Sequence, residues 1–233
     1  MVKIEMSDPT GIQPPFDYSP NLINALEQGL SRERLSTYLG AAGADHAAAL
    51  RLYIWNTQIS AAFYGPLQAL EITMRNAFHR ELAAKYVLNW YDDPRVPFTP
   101  RAHEDVETAK KTLQRLGRPA DPERIVSELP FGFWVRLLSR GPPGDDNYEK
   151  LLWRPALHRA FPNARKGRKD VHRPLPGLRD LRNRIAHHEP IFHWNLAVRY
   201  DLILEVIGWI CTDTRDWVMH HSNVLEVLSR RPP

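Results

Sequence analysis

The chain has 233 residues, of which 43% are hydrophobic and 25% are charged. That balance is ordinary for a globular protein with one sizeable core or at most two small ones. No apolar run approaches the roughly 18 residues of a membrane span, and the first twenty residues lack the apolar segment of a signal peptide, so we expect no membrane partner. The formal net charge of +4 slightly favours a polyanionic partner.

A single cysteine, Cys211, lies in the apolar run LILEVIGWIC. It has no second cysteine with which to form an intrachain disulfide, and we expect it to be a small residue of the core. Free thiols are typical of reducing compartments, so the sequence predicts a cytoplasmic protein.

Apolar residues recur every three or four positions along most of the chain, which is the spacing of helices. Residues 1–20 are interpreted as a flexible arm containing prolines, and residues 21–231 as one all-helical domain. In chain order, the pattern predicts helices at 44–64, 67–86, 100–116, within 121–130, and at 131–139, 148–160, 177–188 and 194–211, with a weaker pair near 214–230. Two of them begin with a capping residue followed by proline, at Thr99 and Asp121. No segment alternates like a strand, so the predicted fold class is all-α.

The stretch RNRIAHHEP, residues 182–190, concentrates polar side chains near the end of a predicted helix. A helix advances about 100° per residue, so Asn183 and His187 share one face. Arg182 lies roughly 140° from His187, but its long side chain can swing around the helix. Pro190 should end the helix close to His188, which places both histidines at a helix terminus rather than in the core.

Two other roles compete with a catalytic one for this stretch. A zinc-protease helix needs two histidines four residues apart on one turn, whereas His188 and His193 are five apart with Pro190 between them. We therefore predict no metal site, and we expect no cofactor. The second competing role is purely structural, because arginine and histidine near a helix C-terminus complement the helix dipole.

The stretch LRDLRNRIAHHEPI, residues 178–191, resembles the Arg-x4–6-His signature of the HEPN superfamily in its Arg-Asn-x-x-x-His form. The wider chain resembles the Abi-like family of bacterial abortive-infection proteins. The resemblance also covers RLYIWNTQISAAFYGPLQALEITMRNAF at 51–78, LPFGFWVRLL at 129–138 and LLWRPALHRAF at 151–161. It implies an all-α, HEPN-type helical bundle with additional helices, which is frequently a metal-independent endoribonuclease that works as a homodimer.

The residues of the signature suit that chemistry. Metal-free RNA cleavage proceeds by attack of a ribose 2′-hydroxyl on its own phosphate, and it needs a group that moves protons and a cation that holds the phosphoryl oxygens. Histidine side chains, with an ordinary pKa of about 6.5, move protons near neutral pH, and His187 is the candidate for that role. Arg182 is the predicted phosphate clamp, and Asn183 orients the imidazole or the phosphate. His188 is either a second acid–base group or, as we favour, a capping or packing residue.

Glu71 and Arg75 are four residues apart and share one face of the predicted helix 67–86. A surface ion pair worth a few tenths of a kcal/mol is one interpretation. Their neighbours belong to the apolar stripe, however, and the family resemblance places this helix against the signature helix. We therefore predict that Glu71 holds Arg182 or His187 in place and that Arg75 adds positive potential.

The run NARKGRKDVHRP, residues 163–174, is rich in basic side chains. A solvated loop is the ordinary interpretation of such a run, but its position just before the signature favours contacts with the RNA backbone. The predicted RNA-binding residues are Arg165, Lys166, Arg168, Lys169 and Arg173.

Together these features predict a bacterial ribonuclease of the abortive-infection or toxin–antitoxin type, in which Arg182, Asn183 and His187 cleave cellular or phage RNA. Its expected partners are RNA, a second copy of the chain and an antitoxin made of protein or RNA. A two-fold homodimer is expected because it would bring two histidines and two arginines into one cleft. The alternative is a non-catalytic HEPN module that binds RNA or a partner protein.

Overall fold

The computed structural model describes residues 16–144 and 147–233, and within those two stretches the regular structure is entirely helical. The predicted all-α class is confirmed. The α-helices are α1 (Pro20–Leu30), α2 (Arg32–Ala41), α3 (His46–Lys85), α4 (Pro100–Arg115), α5 (Pro122–Glu128), α6 (Phe131–Leu137), α7 (Arg168–His172), α8 (Leu175–Ala186), α9 (Leu196–Ile210), α10 (Thr212–His221) and α11 (Val224–Ser229). Shorter 3-10 or π turns lie at Trp90–Asp92, Glu149–Trp153 and Leu157–Ala160.

The chain divides into two compact units, with the boundary between Trp55 and Asn56. The described part of the first unit covers residues 16–55 and 232–233, and the second unit covers residues 56–231. The predicted arm at 1–20 lies for its first fifteen residues outside the described part of the chain. The single domain predicted for residues 21–231 stays a prediction.

The first unit contains α1, α2 and the start of α3. One residue, Ser31, separates α1 from α2, and its hydroxyl caps α2 by accepting a hydrogen bond from the backbone N–H of Arg34 at 3.3 Å. Leu35 and Tyr38 are the buried residues of α2, and the Tyr38 ring packs edge-on against Tyr53. No helix was predicted before residue 44, because a stripe of two buried residues is too narrow to give a clear helical period.

Helix α3 is continuous over forty residues, His46–Lys85, so the prediction of two helices at 44–64 and 67–86 was wrong. The break was placed at Pro66, which lacks an N–H and normally disturbs the turn before it. Phe63 and Leu67 on either side of Pro66 are both buried. Packing of these side chains holds the helix together across the missing hydrogen bond.

An aromatic cluster forms the core of the second unit. Trp134 of α6 lies 5.0 Å from Phe133, 6.0 Å from Trp90 and 6.2 Å from Phe78, measured between ring centroids. All four side chains are fully buried. Helix α6 packs against α8, so this cluster lies behind the helix that carries the predicted signature.

The helix predicted at 148–160 is replaced by a π turn and a 3-10 turn. Glu149–Trp153 forms the first and Leu157–Ala160 the second. Pro155 lies between them and cannot donate the hydrogen bond that a continuous helix needs. The prediction was wrong at this proline, although the apolar spacing of the segment is helical.

Most of the other predicted helices are confirmed close to their expected bounds. The two capping signals act as expected: Thr99 Oγ1 accepts from the N–H of Ala102 at 3.3 Å, and Asp121 Oδ1 accepts from the N–H of Arg124 at 3.0 Å. Helix α7 lies within the basic run 163–174, where no helix was predicted. In the described stretches, no helix combines the length and the apolar character that crossing a membrane requires.

Candidate active site at the end of helix α8

Helix α8 ends in a tight, hydrogen-bonded turn that exposes the two histidines of the signature. His187 is the C-cap, and His188 has a positive φ of 57°. The N–H of His188 donates to the carbonyl of Ile185 at 3.0 Å, and that of Glu189 donates to the carbonyl of Arg184 at 2.8 Å. These are the two bonds of a Schellman motif, in which the left-handed residue follows the cap. The backbone of His188 therefore has a structural role in ending the helix.

The segment that follows the histidines is anchored to α3. Asn56 is only 4% exposed, and its Oδ1 accepts hydrogen bonds from the backbone N–H groups of Ile191 at 2.8 Å and Phe192 at 3.1 Å. From the other side, Arg184 Nε donates to the carbonyl of Pro190 at 3.1 Å. The segment carrying the histidines thus runs between the end of α8 and the anchored residues 190–192, which is the condition for a preorganised site.

Arg182 lies beside Glu71 of α3. Its Nε is 3.5 Å from Glu71 Oε2, and the side chains are 41% and 22% exposed. Within the described residues, no hydrogen bond reaches either terminal amino group of this guanidinium. Partly exposed ion pairs of this kind contribute only about 0–1 kcal/mol to the free energy of unfolding. The main consequence of the contact is therefore the orientation of Arg182.

His187 and Asn183 are both exposed and lie one turn apart, since the backbone N–H of His187 donates to the carbonyl of Asn183 at 2.9 Å. Within residues 16–144 and 147–233, neither the imidazole nor the side-chain amide has a hydrogen bond or ion pair. Both groups are therefore accessible to a ligand at the end of α8. Arg75, one turn after Glu71, donates from Nε to the neighbouring Asn76 Oδ1 at 3.4 Å.

Trp194, which follows the signature, lies close to two cations. Trp194 has the guanidinium of Arg184 5.8 Å and that of Arg199 5.0 Å from its ring centroid. Arg184 belongs to the last turn of α8, so this contact brings the beginning of α9 close to the end of α8. Partial burial, and then the charge of Arg184, lower the pKa of the neighbouring His193.

The basic run contains one residue that does not fit its predicted role. Arg168 is 7% exposed; its Nε donates to Glu149 Oε2 at 2.9 Å, and its Nη1 donates to the carbonyl of Leu138 at 2.6 Å. A buried guanidinium committed to these two partners cannot also lie along an RNA backbone. The prediction of Arg168 as an RNA contact was therefore wrong, and its role is to hold the loop on the body of the unit.

The other cations of the run are exposed, and they differ in whether a carboxylate pairs with them. Lys166 donates to Glu205 Oε1 at 2.9 Å, and Arg173 donates to Asp170 Oδ1 at 3.1 Å. Arg165 and Lys169 are exposed. The run precedes α8 whereas the histidines follow it, and a twelve-residue helix is about 18 Å long. The basic run and the two histidines thus lie at opposite ends of α8.

Asn56 and Arg184 shape this site, and we did not single them out from the sequence. Asn56 lies in a helix whose apolar residues recur at regular spacing. The only sequence signal for its role is that a polar residue falls on the stripe that is buried in the structure. Arg184 is one of several arginines in the signature stretch, and its bond to a carbonyl depends on the turn at His188. Neither contact follows from spacing alone.

Among the residues that the structure describes, no group of three or more His, Cys, Asp or Glu side chains is arranged to hold a metal ion. Comparisons of the chain with protein-family models, with curated proteins and with solved structures gave no match. The resemblance to the Abi-like family and the HEPN superfamily therefore stays a prediction.

Proposed function

We propose that this chain is a metal-independent endoribonuclease whose active site consists of Arg182, Asn183 and His187. One observation carries the proposal: an arginine oriented by a carboxylate and an unpaired histidine lie near the end of α8, and the segment that follows is hydrogen-bonded to both α3 and α8. That arrangement supplies a fixed cation and an accessible proton-transfer group, which are the two requirements of metal-free RNA cleavage.

In the proposed reaction, the 2′-hydroxyl of a ribose attacks the adjacent phosphorus and gives up its proton to His187. The bond between phosphorus and the 5′ oxygen of the next nucleotide breaks, and that oxygen takes up a proton. The products are a 2′,3′-cyclic phosphate and a free 5′-hydroxyl end. Arg182 holds the phosphoryl oxygens while negative charge accumulates on them, and Asn183 orients the phosphate or the imidazole.

A second proton-transfer group is needed to protonate the leaving oxygen. We propose that it comes from His187 of a second copy, in a two-fold homodimer whose two signatures share one cleft. The backbone of His188 is used in the turn that ends α8, which supports a structural rather than a catalytic assignment for this residue.

The proposed biological role rests on the family resemblance and is that of a bacterial abortive-infection or toxin–antitoxin ribonuclease. Such an enzyme would act in the cytoplasm on cellular or phage RNA, and an antitoxin of protein or RNA would hold it inactive. A module that binds RNA without cleaving it is the competing function, and the experiment below distinguishes the two.

The chemistry of the product ends tests the proposal. Purified protein is incubated with a defined RNA, and the fragments are treated with polynucleotide kinase and labelled ATP without prior dephosphorylation. New 5′-hydroxyl ends accept the label, whereas 5′-phosphate ends do not. We expect labelled fragments from the wild type and from His220→Ala, a control at an exposed histidine in the last turn of α10, but none from His187→Ala. Fragments with 5′-phosphates, or binding without fragments, would overturn the proposal.

A further inference from the structure

A concave, basic feature of the larger unit lies outside the proposed active site. It is an open cleft of about 460 Å³ lined by Trp153, Arg154, His158, Ala164, Arg165 and Lys166. The π and 3-10 turns form one side of it, and the loop before α7 forms the other. Three of the six lining side chains are permanent cations, and a fourth is a histidine.

Two of the three cations of this cleft are paired with carboxylates at its edge. Arg154 Nε donates to Glu149 Oε1 at 3.3 Å, and the other oxygen of Glu149 accepts from the buried Arg168 at 2.9 Å. Lys166 donates to Glu205 at 2.9 Å. Glu149 and Glu205 thus each pair with one cation of the lining, and Glu149 also engages Arg168 from outside it, so Arg154 and Lys166 are partly ordered before any ligand arrives.

Arg165 is the exposed cation of the lining that has no hydrogen bond or ion pair within the described residues. His158 adds a fixed imidazole: its Nδ1 lies 3.1 Å from the carbonyl oxygen of Trp153. A carbonyl only accepts hydrogen bonds, so Nδ1 carries the proton and Nε2 is the ring nitrogen left for a ligand.

The charge of the cleft matches a doubly charged anion. Four cations, the three of the lining and Arg168, face two carboxylates, which leaves an excess of two positive charges. A phosphate monoester carries about −1.5 to −2 at pH 7, whereas an internal phosphodiester of RNA carries one charge. Trp153 and Trp209 are each 7% exposed, and the Trp209 ring centroid lies 4.2 Å from Lys166 Nζ. Because neither buried ring is open to stack on a base, recognition rests on charge.

We propose that this cleft binds the terminal phosphate of an RNA strand, an inference that rests on the proposed function for the nature of the strand. The loop bearing Arg165 is docked on the far end of α9, where the backbone N–H of Asn163 donates to the carbonyl of Trp209 at 3.1 Å. The signature lies near the other end of α9, and this helix of fifteen residues is about 22 Å long. The bound end of the strand and the cleaved bond are therefore several nucleotides apart.

The test measures binding without cleavage. The probes are short, fluorescently labelled oligonucleotides in which every 2′-hydroxyl is methylated, so that no attacking group is present. One carries a 5′-phosphate, one a 3′-phosphate and one hydroxyls at both ends. Fluorescence anisotropy should give a Kd about tenfold lower or better for one phosphorylated probe than for the hydroxyl probe, as expected for one or two charge-assisted hydrogen bonds.

Arg165→Ala should remove this difference between the probes. Lys169→Ala is the matched control, because Lys169 is an exposed cation of the same basic run that lies in α7 and does not line the cleft, and it should keep the difference. Equal Kd values for all three probes with the wild type would overturn the proposal. Inorganic phosphate and a nucleoside 5′-monophosphate serve as competitors; if either binds as tightly as the phosphorylated probe, the RNA assignment is wrong.

The outcome is independent of catalysis. If the end preference is present but RNA is not cleaved, the proposed function fails and the phosphate cleft stands. If RNA is cleaved without any end preference, the cleft proposal fails and the endoribonuclease stands.

Discussion

At the scale of single residues, Arg182 and the cations of the basic run differ in how they are held. Arg182 is oriented by Glu71 near the end of α8, whereas Arg165, in the loop before α7, and Lys169, in α7 itself, are exposed and, among the described residues, unpaired. A fixed cation stabilises the charge that develops in a transition state, and mobile cations mainly raise the local attraction for a polyanion. The two groups should therefore affect different kinetic constants.

We expect Arg182→Ala to lower kcat by roughly 10²–10³-fold, the usual effect of losing one preorganised donor to a developing oxyanion. Replacing Arg165, Lys166, Lys169 and Arg173 together by Ala should instead raise the apparent KM and flatten the dependence of binding on salt. Single-turnover cleavage of a labelled RNA at two salt concentrations separates the two effects. Arg168 is left unchanged because it is buried. A loop variant with a slow chemical step, beside an unaffected Arg182→Ala, would place the active site elsewhere.

Single residues also define what the sequence can and cannot predict about the site. The pairing of Glu71 with the signature was expected from family resemblance, and the ion pair to Arg182 is present in the structure. Arg168 could not be separated from its exposed neighbours by composition, because its burial depends on Glu149 and Leu138, which are distant in sequence. The catalytic roles themselves stay predictions.

At the scale of secondary-structure elements, the end of α8 depends on a contact from α3. Asn56 accepts from two buried backbone N–H groups, those of Ile191 and Phe192. Removing this acceptor leaves both donors unsatisfied in the core, and each unsatisfied buried group is costly. The histidines are attached to the segment that this contact anchors.

We expect Asn56→Ala to lower the free energy of unfolding by about 1–3 kcal/mol and to lower the cleavage rate through the loosened segment. Urea denaturation measures the first effect. Asn76→Ala, at an exposed asparagine of the same helix, is the control and should stay within about 0.5 kcal/mol of the wild type. An Asn56→Ala protein as stable as the control would show that the two bonds do not anchor the segment.

Helix α7 introduces a dependence of stability on pH. The pKa of His172 is lowered, first by burial and then by the charges of Arg168 and Arg179. The unfolded chain therefore binds a proton more readily than the folded protein. Stability from this group is present above the ordinary histidine pKa and is lost as the pH falls below about 6.5 towards the lower pKa of the folded state.

His172→Gln removes that contribution. We expect its free energy of unfolding to decline less than that of the wild type when the pH is lowered from about 7.5 to about 5.5. His79 and His193, whose pKa values are also lowered by burial, remain in both proteins and cancel in the comparison. Denaturation curves at several pH values give the difference, and parallel pH profiles would contradict it.

The elements show where local signals suffice. Thr99 followed by Pro100 fixes the start of α4, because capping and the proline ring act within one turn. Pro66 and Pro155 present the same local signal of a break, yet α3 continues through the first while the segment around the second splits into short turns. Only the packing of the surrounding helices distinguishes these two prolines, and packing is not a local property.

At the scale of the whole molecule, one copy of the chain offers a single exposed His187 near Arg182. The proposed reaction has two proton transfers, one from the attacking hydroxyl and one to the leaving oxygen. A two-fold dimer would give each transfer its own histidine and would place two guanidinium groups around one phosphate. The assembly is therefore part of the proposed mechanism.

We expect a homodimer by light scattering at micromolar concentration. An excess of His187→Ala mixed with the wild type should lower the activity of the wild-type protein, because a mixed dimer keeps only one of the two histidines that the two proton transfers need. The control is the wild type mixed with the same excess of His220→Ala, which should leave the activity unchanged. A fully active monomer would contradict the shared cleft, as would wild-type activity that excess His187→Ala does not lower.

The most direct test of the central claim is cleavage of RNA in the presence of EDTA. Purified wild-type protein and His187→Ala are incubated with the same labelled RNA in excess chelator, with His220→Ala as the control at an exposed helix-terminal histidine. We predict cleavage by the wild type and by His220→Ala, and a rate for His187→Ala that is about 10²–10⁴-fold lower, the usual contribution of a proton-transfer group. Cleavage that begins only when a divalent ion is added, or that is unaffected by loss of His187, would contradict the account.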